Sequence, residues 1–165
     1  MALSTSKNEL DLTLSPDNSG DNRIEHAVVE HGWYHEERRK RIPIRAIGLA
    51  NWLAENGKKT AEIGLIWLDV QGHEVYALTG AEELLKDVPV VTEIWPYALE
   101  RSGLGVAHFI QLAAKYFHEF MAVSPSAVPT QIGQLSAFIE NIGRFPRNAA
   151  QIILLPRRRS GHLIA

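Results

Sequence analysis

From Asn8 to Leu14 the chain alternates, with Leu10, Leu12 and Leu14 on one face, so a half-buried strand of period two is predicted there. Ser15 to Asn22 is dense in turn formers and reads as a loop. Residues 24 to 36 carry no clear period, although Val28 and Val29 suit a short edge strand. Arg41-Ile42-Pro43-Ile44-Arg45 reads as extended, because Pro43 disfavours helix at the residue before it. Ala46 to Asn56 has a helical period, apolar at Ile47, Leu49, Ala50 and Leu53, with Gly57 as its stop.

Ile63 to Val70 is almost continuously apolar, which predicts a strand buried on both faces, as in a parallel sheet. His73 to Leu85 is helical, with Val75, Leu78 and Leu85 on one side, and Val88 to Trp95 is a second buried strand ended by Pro96. Strand, helix and strand make one βαβ unit, whose crossover should be right-handed. Farther on, Val106 to Met121 reads as a long helix and Gln131 to Asn141 as a shorter one, separated by a Pro/Ser loop. Gln151 to Leu155 reads as a final strand. No repeat or linker divides the chain, so residues 1–156 are expected to form a single α/β domain, followed by a disordered basic tail at 157–165.

Composition changes this picture in three ways. The 17 basic and 19 acidic side chains give a formal net charge of −2, which argues against a nucleic-acid or anionic-membrane surface. The runs Arg38-Arg39-Lys40-Arg41 and Arg157-Arg158-Arg159 read as solvated charge. The absence of cysteine removes disulfides, thiolate metal sites and cysteine nucleophiles, and fits a cytoplasmic chain. No apolar run approaches the ~20 residues of a membrane helix, and no signal peptide is visible.

The chemistry-bearing residues cluster around the βαβ unit. Asp69 follows the first strand, where open α/β folds place ligand-binding groups, and it equally suits a cap on the following helix. His73 and Glu74 stand at the start of that helix. Glu74 suits the helix dipole, and His73 has the near-neutral pKa of a general base. Glu93 lies inside the second strand and needs a partner or a cavity; Arg101 is one candidate partner. With the strands adjacent and parallel, Asp69, His73 and Glu93 would gather at one rim as an acid/base or divalent-metal site. His26, His31 and His35 have no secure helix to array them, and Trp33, Tyr34 and Trp52 read as packing residues. No nucleophile elbow, Walker loop or zinc spacing occurs. The glycines at 103 and 105 precede a helix but follow no strand.

The stretch Ile66-Trp67-Leu68-Asp69-Val70-Gln71-Gly72-His73-Glu74, then Leu78-Thr79-Gly80-Ala81 and Val90-Val91-Thr92-Glu93-Ile94-Trp95-Pro96, resembles the FkbM family of S-adenosylmethionine-dependent methyltransferases. Gln71 stands where the family pattern has Glu. The resemblance spans most of residues 2–155. It implies a partial Rossmann-like class I methyltransferase sheet with flanking helices, and methyl transfer to a hydroxyl of a sugar, lipid or natural-product scaffold. Asp69, His73 and Glu74 are then the catalytic candidates, and Glu93 and Trp95 the substrate-binding ones. Ala2, Leu3 and Ser4 fall where such folds approach the adenine of S-adenosyl-L-methionine; no metal is implied. The family's glycine-rich cofactor loop has no counterpart in the sequence. The resemblance therefore implies the C-terminal part of such an enzyme, inactive alone. The rival expectations are a degenerate domain acting as a binding or scaffold protein, self-associating through an exposed sheet edge, and an unrelated α/β hydrolytic or metal enzyme.

Overall fold

The computed structural model describes residues 1–24, 26, 34, 36–143 and 147–157. Two mixed sheets carry the chain. The first contains β1 (Ala2–Leu3), β2 (Asn8–Leu14), β3 (Arg23–Ile24) and β4 (Lys40–Ile47), in the order β1-β4-β2-β3. Within it β1 runs parallel to β4, and β2 runs antiparallel to both β4 and β3. The second contains β5 (Ile66–Leu68), β6 (Val90–Ile94), β7 (Phe117–Ala122), β8 (Thr130–Gln131) and β9 (Ala150–Pro156), in the order β5-β6-β9-β7-β8. Its strands β5 and β6 are parallel, and β9 runs antiparallel to both β6 and β7.

Five helices accompany the sheets among the described residues: α1 (Leu49–Glu55), α2 (Glu74–Thr79), α3 (Pro96–Arg101), α4 (Gly105–Tyr116) and α5 (Leu135–Ile142). None is long and apolar enough to cross a membrane. The core lies against the second sheet, where Leu78, Leu85, Ile94, Leu99, Phe109, Phe117, Leu135, Ile152 and Leu154 are almost wholly shielded from solvent. Each such side chain contributes about 1.5–3 kcal/mol of transfer free energy.

The α/β class and the parallel β5–α2–β6 unit match the pattern of apolar positions. The strands form two sheets, because the N-terminal strands pair among themselves. Other boundaries move for identifiable reasons. The strand expected over 63–70 and buried on both faces is only β5, at the sheet's edge; Trp67 is 64% exposed while Ile66 and Leu68 are buried. Ala46 and Ile47 belong to β4, where they pair with β2 and β1, so α1 starts only after Gly48. The helix expected to reach Leu85 stops at Thr79. There Gly80 abuts the first sheet so closely that a Cβ on it would run into the Ser4 carbonyl oxygen. The helix expected to reach Met121 stops at Tyr116, because Phe117 to Ala122 pair with β9; cross-strand packing overrides helical period here.

The strand proposed at Val28–Val29, the residues Trp33, His31 and His35, and tail residues 158–165 lie outside the described residues.

Candidate functional site at the ends of the parallel strands

Strand β5 ends at Leu68, and the chain must reverse within five residues to start α2. It does so through Gln71 (φ 53°) and Gly72 (φ 100°), two successive left-handed residues. Glycine is required at the second, since a Cβ there would collide with the Ala98 carbonyl of α3. Gln71 is held in its unusual conformation by its own side chain. Its Nε2 donates to Asp69 Oδ1 at 2.7 Å and to Glu93 Oε2 at 3.4 Å. Asp69 and Glu93, from the ends of adjacent parallel strands, thus share one amide nitrogen.

The electrostatics follow from that arrangement. Burial raises the Glu93 carboxyl above its ordinary range, and the charge of Asp69 raises it further. Glu74 is only 2% exposed. Burial pushes its carboxyl up to about 7, with the Glu93 charge adding to the rise against backbone hydrogen bonds that lower it. One of those bonds comes from the Val70 amide at 3.3 Å, so Glu74, rather than Asp69, fastens the turn. Glu93 is not tied to Arg101, whose Nε instead reaches Glu36 Oε1 at 3.1 Å.

His73 is brought elsewhere. Its ring is 2% exposed and stacks with His26 and Tyr76, and its Nδ1 lies 2.7 Å from His26 Nε2. Burial, and then the charge His26 would carry, lower its pKa to about 3; the Leu3 backbone pulls weakly the other way. The imidazole is therefore neutral at ordinary pH. Ala2 and Leu3 form β1. The Ser4 amide donates to the Ile47 carbonyl at 2.9 Å, and Ser4 is buried against Gly80.

Beside the acid pair lies an ion network that the sequence pattern missed. Asp21 bridges Arg23 and Arg39, and Glu36 pairs with Arg23 at 3.5 Å and with Arg101. Glu36 also accepts from the Tyr97 hydroxyl at 3.0 Å. Burial works to raise the Glu36 carboxyl, but its backbone hydrogen bond, Arg101 and Tyr97 together hold it below its ordinary range. Arg39, expected to be solvated with its neighbours, has a side chain only 1% exposed. Trp95, Tyr34 and Tyr97 surround the network, with the Arg23 guanidinium 5.2 Å from the Trp95 ring centre. The one signal that could have found this network was the Arg38–Arg41 run itself. Its partners Asp21 and Glu36 are distant in sequence or set in a loop. Among the described residues, no cluster of three metal-ligating side chains forms.

A mixed α/β fold with polar groups gathered at the ends of parallel strands defines a class of ligand-handling α/β proteins. The methyltransferase FkbM domain model matches residues 5–144, and the chain belongs to that family. No curated protein and no solved structure matches it.

Proposed function

We propose that Asp69, Gln71 and Glu93 form the acceptor site of an S-adenosylmethionine-dependent O-methyltransferase, receiving a hydroxyl of a sugar, lipid or natural-product scaffold. The observation that carries this reading is the Gln71 amide nitrogen held between two carboxylates at the carboxyl ends of neighbouring parallel strands. A hydroxyl that displaces the Gln71 amide from between those carboxylates meets acceptors on both sides. Glu93, whose carboxyl is raised by burial and by the Asp69 charge, would be the group to accept a proton from a bound hydroxyl, and the exposed Asp69 would orient that hydroxyl. In this reading Glu74 and the neutral His73 hold the turn, and Trp95 lines the approach. The parallel β5–α2–β6 unit supports reading the second sheet as part of a Rossmann-like sheet, and the packing of Gly80 against Ser4 and Gly48 supports reading residues 1–156 as one domain. The test is saturation-transfer NMR on the full chain with a panel of glycosides and hydroxylated lipids. We expect binding that Asp69→Asn with Glu93→Gln weakens by about tenfold. Binding that the double variant leaves unchanged would overturn the acceptor reading.

In this family S-adenosylmethionine supplies the methyl group, but no strand-to-helix turn among the described residues carries more than the single glycine of Gly48 or Gly72 to cradle it. The strand-to-helix turn at Gly48, next to Ala2–Ser4, is closed by the Thr5 and Gly80 carbonyl oxygens, each 3.2 Å from where a Cβ would stand. Backbone from two other segments therefore fills the space beside this turn. That observation favours a second reading, in which the isolated chain is a binding or scaffold domain without activity of its own. Calorimetric titration with S-adenosylmethionine tests it. No saturable binding at micromolar concentration is expected, and saturable micromolar binding would contradict it.

A further inference from the structure

The second sheet has a buried face and a more open one. Register partners across it share a face, because successive side chains alternate. Leu68, Thr92 and Ile152 stand in one row on the buried face. One residue away, Trp67, Val91, Ile153 and Met121 make a row across four strands on the opposite face. That row is apolar throughout; Trp67 is 64% exposed, and Ile153 and Met121 are half-buried. At the strand ends the same face closes on Asp69, Glu93, Gln151 and Val123. Glu93 is in register with Gln151, and the Val123 amide donates to the Gln151 carbonyl at 2.8 Å. Away from the acids the face continues through Leu65, Pro89 and Leu155, with Glu119 at the corner held by Gln131 and His118. Five large hydrophobic side chains stand exposed among the described residues, and three of them, Leu65, Trp67 and Val123, belong to this one face. Such a concentration marks an interaction site rather than scattered surface residues.

We propose that this open face holds the hydrocarbon chain of an amphiphilic acceptor, whose hydroxyl-bearing head lies at the Asp69–Glu93 pair. The proposal rests on the acceptor reading and narrows its substrate class to a hydroxylated head on an alkyl chain. Polarity runs the right way for such a molecule. The two acids meet the head, and Trp67 and Val91, two residues behind them on the same face, begin the apolar field about 7 Å away. Size decides between a chain and a protein partner. Four strands spaced ~4.8 Å apart, with rows from 65 to 69 at ~3.3 Å per residue, enclose roughly 200 Å² in plan. A stable protein interface needs about 800 Å² on each partner, so the patch is too small for a second copy or another protein and suits one alkyl chain.

The test is calorimetric titration of the full chain with methyl, butyl and octyl glucoside, each kept below the concentration at which it forms micelles. Affinity should rise with chain length, and octyl glucoside should bind at least about tenfold more tightly than methyl glucoside. Trp67 is exposed, so Trp67→Ser leaves the core intact and should remove most of that gain. Met121 stands three strands from the open β5 edge, so Met121→Ser separates this face from pairing at the edge and should remove the gain as well. Equal affinity for the three glucosides, no binding of octyl glucoside except as micelles, or a gain that survives both substitutions would each overturn the proposal. Dimers in sedimentation velocity that Met121→Ser dissociates, with no octyl glucoside bound, would overturn it in favour of a second copy on this face. A chain-length gain that both substitutions remove, with octyl glucoside affinity unchanged in Asp69→Asn with Glu93→Gln, would keep the apolar site and remove the acceptor reading instead.

Discussion

Glu74 shows how a single buried side chain ties stability to pH. It is 2% exposed, accepts the Val70 amide, and has its carboxyl raised to about 7 from an ordinary 4.5. An acid with a raised folded pKa is penalised once the unfolded chain ionises. Between pH 4.5 and 7 the folded chain keeps a proton that the unfolded chain has lost, so this residue's contribution falls as pH rises, and the full penalty is present above 7. The size is on the order of 3 kcal/mol. Glu74→Gln keeps the acceptor for Val70 and removes the charge, so it should raise the unfolding temperature at pH 8 and leave it nearly unchanged at pH 4. Thermal unfolding at both pH values checks this, and an equal effect at both would show that Glu74 is not buried in this way. At the same scale, Asp69 and Glu93 were legible in the sequence because a carboxylate at the end of an apolar strand is a strong signal. The fates of His73 and Gln71 were not legible. A histidine at a helix start says nothing of the His26 and Tyr76 rings that bury it from elsewhere in the chain. Gln71 looked like a mere replacement until its left-handed backbone aimed its amide between the acids.

At the level of elements, the two sheets meet where α2 ends. Gly80 packs against Ser4 and Gly48, and the Ala50 amide donates to the Gly80 carbonyl at 3.3 Å. A Cβ at Gly80 meets backbone rather than a flexible side chain, so Gly80→Ala should lower stability by about 2–3 kcal/mol. For a chain of this size that is a fall of roughly 5–10 °C in unfolding temperature. Gly64→Ala is the control, because nothing lies within 4 Å of its Cβ position. If the two variants unfold alike, the sheets do not meet at Gly80. The helix and strand types were readable wherever a local period decides them, as in β2, β4 and α4. What eluded the pattern were boundaries set by distant partners. Phe117 and Phe120 continue the apolar period of α4, yet β9 draws them into β7. Ile63 to Leu65 look like strand, yet the partner register with β6 starts only at Ile66.

Over the whole molecule, β5 leaves the second sheet with an open edge beside exposed Trp67 and Leu65. Such an edge is a template for pairing with another strand. We expect the chain to self-associate with rising concentration in sedimentation velocity, and Trp67→Lys to shift it toward monomer; a wild-type chain that stays monomeric throughout would contradict this. The same end of the sheet carries the acid pair, and the proposed acceptor site requires Asp69 and Glu93 to stand together at the β5 and β6 ends. Carboxyl-detected NMR titration of Glu93, in the wild-type chain and in Asp69→Asn, measures that directly. Glu93 should titrate above the ordinary glutamate range in the wild type and move down when the neighbouring charge is removed. A Glu93 that titrates identically in both proteins would mean that the two carboxylates do not share a site.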